Sequence, residues 1–180
     1  RVVSWRFFIQ GVPMRLYFFN LMYLNGIHNG IQAMHSAQEI EDLYPENSPE
    51  GRAYRDWRRN HKTVIITNAG YVKVLYEIYE LLGELAKDWT PVDGVDGLAF
   101  AKFHESEEAA SGLLTSIAVT VPPSCYVEFK DKVGRERRNL LFKRAKDLDL
   151  TSYEAALLDD GTFTVHERLE LLCASFGLAN

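Results

Sequence analysis

The chain has 180 residues, 47% hydrophobic and 25% charged, with a net charge of -5 at pH 7. One domain is expected from that length, and a core burying about 70% of the unfolded surface needs no metal or disulfide staple. The two cysteines, Cys125 and Cys173, are too few for a disulfide framework and stand at no metal-ligand spacing, so they read as small buried hydrophobes in a reducing compartment.

Residues 1–13 read in two ways. They are an N-terminal extension ahead of Met14, or Trp5, Phe7, Phe8 and Ile9 add an extra strand. Arg6, Gln10, Pro13 and Arg15 break the apolar region, and no small-residue cleavage site follows, so the segment is unlike a secretory signal. The longest apolar run, Leu16 to Leu24, contains Asn20 and is nine residues long, whereas a spanning helix needs about 20. A cytoplasmic protein without a membrane partner is expected.

The elements then follow in chain order. Residues 15–24 are dense in aromatics, suit a strand buried on both faces, and end at Asn25-Gly26. A helix is expected over 29–44, with Ile31, Met34, Ile40 and Leu43 on its buried stripe and Gln38, Glu39, Glu41 and Asp42 facing out. Pro45 to Gly51 is a turn-rich loop. The segment Tyr54 to Arg59 is most simply an exposed helical turn, alternatively a phosphate clamp with Trp57 stacking a base. A β-branched strand follows over 62–68. Val72, Leu75, Ile78, Leu82 and Leu85 then mark an amphipathic helix over 71–87. Strands are expected over 98–103 and 115–121, the latter stopped by Pro122-Pro123.

Beyond that point the pattern changes. From Lys130 to Lys146 eight basic residues face two acidic ones, so the rest of the chain is more acidic than its net charge indicates. Such a block reads as a solvated helix face or as a nucleic-acid contact through Arg135, Arg137, Arg138, Lys143 and Arg144. Capping-box patterns at Thr151–Glu154 and Thr164–Glu167 start two short helices. Neither stands alone, so this tail is expected to pack on the core or to form a homodimer with a second copy.

The element order β-α-β-α-β-β implies an α/β fold: a four-stranded, mixed but mostly parallel sheet covered by helices, with a C-terminal helical extension. Residues 14–123 form the α/β domain, and 124–180 extend it. Polar groups at the carboxyl end of the first strand are well placed for chemistry. They are Asn25, His28, Gln32 and His35, joined by a second group, His104, Glu105 and Thr115. Each has a plain structural alternative: Asn25 and His28 as cap residues, His35 bonded to a carbonyl, His104 and Glu105 flanking a sheet, Thr115 as a strand residue. His104 beside Glu105, Glu107 and Glu108 is a possible metal site, but no second pair at ligand spacing supports one, and no metal or cofactor is expected. Phosphate-loop, dinucleotide and serine-elbow motifs are lacking.

The segment Gly30-Ile31-Gln32-Ala33-Met34-His35-Ser36-Ala37 resembles the first helix of the type 2 peptidyl-tRNA hydrolase family, whose signature is Gly-Lys-x-Ala-Ala-Gln-x-x-His-Ala. Gln32 and His35 match its Gln-x-x-His, and Thr115-Ser116-Ile117-Ala118 with Pro122 is similar to the family's Thr-x-x-Ala strand. The likeness covers residues 14–123 and is closer to phage-type relatives. His28 stands near the place of the family's helix-start lysine, and Phe103 to Glu107 replaces its Asp-Ala-Gly. The resemblance implies metal-independent hydrolysis of the ester between a peptide and tRNA. It assigns His28, His35, Glu105 and Thr115 to catalysis, Asn25, Gln32 and His104 to substrate binding, and tRNA or another RNA as partner. The missing lysine implies an alternative: a divergent relative that binds RNA, a nucleotide or a protein without catalysis.

Overall fold

The computed structural model describes residues 13–125 and 164–179. Expectations for residues 1–12, for the helix after Thr151, and for the basic block with Arg135, Arg137, Arg138, Lys143 and Arg144 lie outside these residues.

Strand β1, Arg15–Leu21, is buried along its length except for the half-buried Arg15. This follows from its neighbours on both sides. The sheet order is β2-β1-β4-β3, with β2 at Thr63–Gly70, β3 at Phe100–His104 and β4 at Leu114–Val121. The β1–β2 pair is parallel, whereas β1–β4 and β3–β4 are antiparallel. The mostly parallel sheet read from the element order is therefore corrected to a mixed sheet with mostly antiparallel pairs. The cause is the short link between β3 and β4, which holds only the one-turn helix α4, Glu107–Ala110. A parallel crossover takes about a dozen residues or more. The chain instead turns back, and β4 inserts between β1 and β3.

Alternation along the strands divides the core in two. On one side Tyr17, Phe19, Leu21, Ile117, Val119 and Val121 pack beneath α3, Val72–Lys87, and α5, Val165–Ala174. Leu75, Ile78, Leu82 and Leu85 of α3 are buried there, as the spacing predicts. On the other side Leu16, Phe18, Ala99, Ala101 and Ala118 meet α1, Gly26–Leu43, and α2, Pro49–Asp56. In α1 the expected apolar stripe is largely wrong. Ile31, Met34 and Leu43 are exposed, and the inner face is Asn29, Gln32, Ala33, Ser36, Ala37 and Ile40. Small side chains bring this helix close to the sheet.

Helix α2 replaces the expected loop end. Ser48 caps it by accepting from the Gly51 amide at 2.9 Å, and Pro49 occupies its first turn, where its fixed φ is favourable. The π-helical turn Trp57–His61 follows. Trp57 is buried with its indole N–H on the Thr63 carbonyl at 2.9 Å, and Arg58 grips both oxygens of Glu41 at 2.6 Å. Trp57 is thus a core residue, and the base-stacking reading is overturned.

The capping box at Thr164 is present, with side-chain and backbone bonds to Glu167 in both directions. Val165, Leu169, Leu172 and Cys173 seat α5 in the core. Beyond it, the Asn68 amide donates to Gly177 and the Ala179 amide to Ile66, each at 2.9 Å, which covers part of the open β2 edge. Among the described residues no helix is long and apolar enough to cross a membrane.

Candidate functional site

The polar residues of α1 lie against the carboxyl end of β1 because Asn25 starts the helix there. Its Oδ1 accepts from the His28 amide at 2.9 Å. Asn25, expected to contact substrate, therefore uses its side-chain oxygen as a helix cap. His28 is exposed in the first turn, and Gln32 and His35 continue from it at i+4 and i+7.

A bulge brings Thr115 to this helix. Phe103 pairs with Ser116 and His104 with Leu114, so Thr115 is the extra residue of β4. Strict alternation would send Thr115 and Ser116 to opposite faces. The bulge turns both toward α1, which is how such irregularities re-aim a side chain. Thr115 Oγ1 donates to Gln32 Oε1 at 2.5 Å, and Gln32 Nε2 donates to Glu105 Oε1. Three candidate residues from two distant segments thus share one hydrogen-bond chain. Gln32 is 5% and Thr115 2% exposed, whereas Glu105 is half-buried. No other described residue holds Glu105 Oε2, so that oxygen can accept a proton. His35 lies flat on Phe103, ring centroids 4.6 Å apart and 21° between planes. That contact sets its ring against β3, on the residue that pairs with Ser116.

His104 does not join them. It precedes Glu105 by one strand residue and points to the opposite face, where its Nε2 meets the Tyr76 hydroxyl of α3 at 3.3 Å. Burial, and then the Lys102 charge, hold its pKa below the ordinary value, with Glu39 acting in the other direction. Among the described residues no cluster of three His, Cys, Asp or Glu is placed to hold a metal.

A second polar chain, adjoining the first, was not read from the sequence. Asn20 Nδ2 donates to the Asn29 carbonyl at 2.9 Å and to Asn29 Oδ1 at 3.0 Å, while Asn20 Oδ1 accepts from Ser116 at 2.7 Å. The Ser116 and Ser36 hydroxyls lie 2.8 Å apart, and because Ser116 donates to Asn20, the single Ser36 proton is shared between Ser116 and the Ala33 carbonyl at 3.0 Å. All four side chains are buried. A buried chain of this kind fixes the pose of α1, since each group left unpaired would cost about 1–3 kcal/mol. The available signal was the spacing of Asn29, Gln32 and Ser36 along one helix face, opposite a lone Asn20 in an aromatic strand.

With this geometry in view, the chain was compared with protein-family models and with curated proteins, and nothing matches.

Proposed function

We propose that the chain is a metal-independent ester hydrolase of the type 2 peptidyl-tRNA hydrolase kind, cleaving the ester between a peptide and the terminal ribose of tRNA. The observation that carries this reading is the junction of Glu105, Gln32 and Thr115 in one hydrogen-bond chain. Gln32 orients the Glu105 carboxylate, and Thr115 fixes the Gln32 amide so that its N–H faces Glu105. In the reaction, water adds to the ester carbonyl and passes its proton to Glu105. The carbon–oxygen bond to the ribose then breaks, and the departing oxygen takes a proton from a protonated histidine, for which the exposed His28 at the helix start is the nearest counterpart to the family's lysine. His35, stacked on Phe103, forms part of the wall against which the terminal nucleotide lies.

The test is peptide release from peptidyl-tRNA by the purified full chain, with chelator present. Multiple turnovers are expected, and Glu105→Gln should lower kcat by about 10²–10⁴, the usual contribution of a positioned acid or base.

A second reading is favoured by one observation, the burial of Gln32 and Thr115 against each other. In that reading the pair is a lock between α1 and β4, and the chain binds RNA, a nucleotide or a protein without turnover. Binding of peptidyl-tRNA with no peptide released would select it.

A further inference from the structure

Among the described residues, a group of chemistry-bearing side chains outside the Glu105 cluster lies on the opposite face of β3. Lys102 and His104 stand at i and i+2 on this strand and so project to the same side. Tyr76 and Tyr79, one turn apart on α3, face them. Lys102 Nζ lies 4.5 Å from the Tyr79 ring centroid and 5.7 Å from that of Tyr76. The ammonium is therefore held over two rings, and the ordering of a flexible side chain has already been met in the free protein. Among the described residues Lys102 makes no ion pair with a carboxylate. The Tyr76 hydroxyl, bonded to His104, belongs to a residue that is 42% exposed.

We propose that Lys102, His104 and Tyr76 form an anion subsite at the β3 edge that takes a phosphate group. Lysine serves phosphate as a point charge, whereas a planar carboxylate is better matched by the fork of an arginine. The imidazole and the phenol supply two further donors once the anion replaces their mutual contact. The local charges fit this role. Burial and Lys102 depress His104 protonation, Glu39 opposes them from α1, and the Tyr76 hydroxyl meets the ring from α3. A bound anion reverses that depression. The inference is independent of ester hydrolysis, because His104 and Glu105 lie on opposite faces of the strand.

The experiment is a histidine-resolved NMR titration of the full chain at constant ionic strength. The probes are inorganic phosphate, a dinucleotide carrying one phosphodiester, acetate, and chloride as reference. Phosphate should shift the His104 ring signals saturably and raise the pKa they report, and Lys102→Met, which keeps the aliphatic stem over the rings, should weaken binding about tenfold, as loss of a charged hydrogen bond does. Tyr76→Phe should weaken it less. An equal response to the dinucleotide assigns the site to a nucleic-acid backbone, and a response to inorganic phosphate alone assigns it to free phosphate. The proposal is overturned if neither phosphate probe shifts His104 beyond chloride, if acetate does as well as phosphate, or if Lys102→Met binds unchanged.

Discussion

The two faces of this sheet are built from the same strands by opposite means. Strand β1 sends Tyr17, Phe19 and Leu21 into a layer sealed by the leucines of α3 and α5, and Leu16, Phe18 and Asn20 toward α1. Under α3 the contact is apolar and insensitive to the orientation of any one group. Under α1 it is alanine at the centre and hydrogen bonds at the carboxyl end of the strand. Burial of apolar area supplies the larger share of stability, and directional bonds determine how α1 sits. The face that carries the candidate site is the one whose geometry is set by bonds.

Core truncation should separate the faces most strongly. Phe19 is fully buried and meets Phe176 edge-on at 5.6 Å. Phe19→Ala is expected to cost about 3–5 kcal/mol in urea unfolding, the usual range for a buried aromatic. On the other face, Asn20→Ala leaves groups of Ser116 and Asn29 unpaired and should cost about 1–3 kcal/mol. Equal losses would break the comparison. Thr115→Val keeps the side-chain shape and removes only the donor to Gln32, so a loss of about 1–2 kcal/mol is expected together with reduced peptide release. If activity survives at full rate, Gln32 does not need that bond.

Thiol chemistry sharpens the picture of the apolar face. Burial pushes the Cys125 thiol up to about 12 and the Cys173 thiol well above its ordinary value. Both should stay protonated and resist alkylation at neutral pH in the native protein, and react once it is unfolded, because the thiolate is the nucleophile. Fast native labelling would show that the α5 layer opens readily.

The smallest effect belongs to His104. Its folded pKa lies below the ordinary 6.5, so the unfolded chain binds the proton more readily. Stability from the neutral ring is present above about pH 6.5 and is lost as the pH falls through that value toward the folded pKa. Melting temperatures of the wild type and His104→Gln should draw together on acidification. A constant gap between them would remove His104 as a titrating contributor.

How far these faces could be read in advance depended on period. Leu75, Ile78, Leu82 and Leu85 repeat at helical spacing, and α3 lies where they place it. Thr63–Gly70, Leu114–Val121 and the Thr164 cap were legible in the same way, from β-branched runs, a proline stop and a capping pattern. Helix α1 misled because Ile31 and Met34 follow a helical period yet face water, while the inner stripe is small and polar. Helix α2 was legible in Ser48-Pro49, an N-cap with proline after it, but the prolines and glycine around it read as a loop. Strand order could not be read, since period shows which face is buried and says nothing of neighbours. The Gln32, Glu105 and Thr115 grouping was read from placement at the carboxyl end of the first strand together with family resemblance. The helix half of the Asn20 chain was legible in the spacing of Asn29, Gln32 and Ser36, but its Ser116 half was not, because the bulge that turns Thr115 and Ser116 to one side breaks the alternation on which a strand is read.

The most direct test of the account is the rate of peptide release from peptidyl-tRNA by Glu105→Gln beside the wild type, with thermal unfolding measured on both. Glu105 is half-buried and held by one amide, so replacement by the isosteric amide should leave folding nearly unchanged. The account predicts turnover by the wild type and a loss of about 10²–10⁴ in kcat for the variant. Wild-type protein that binds peptidyl-tRNA without releasing peptide, or a variant that releases it as fast as the wild type, would contradict it.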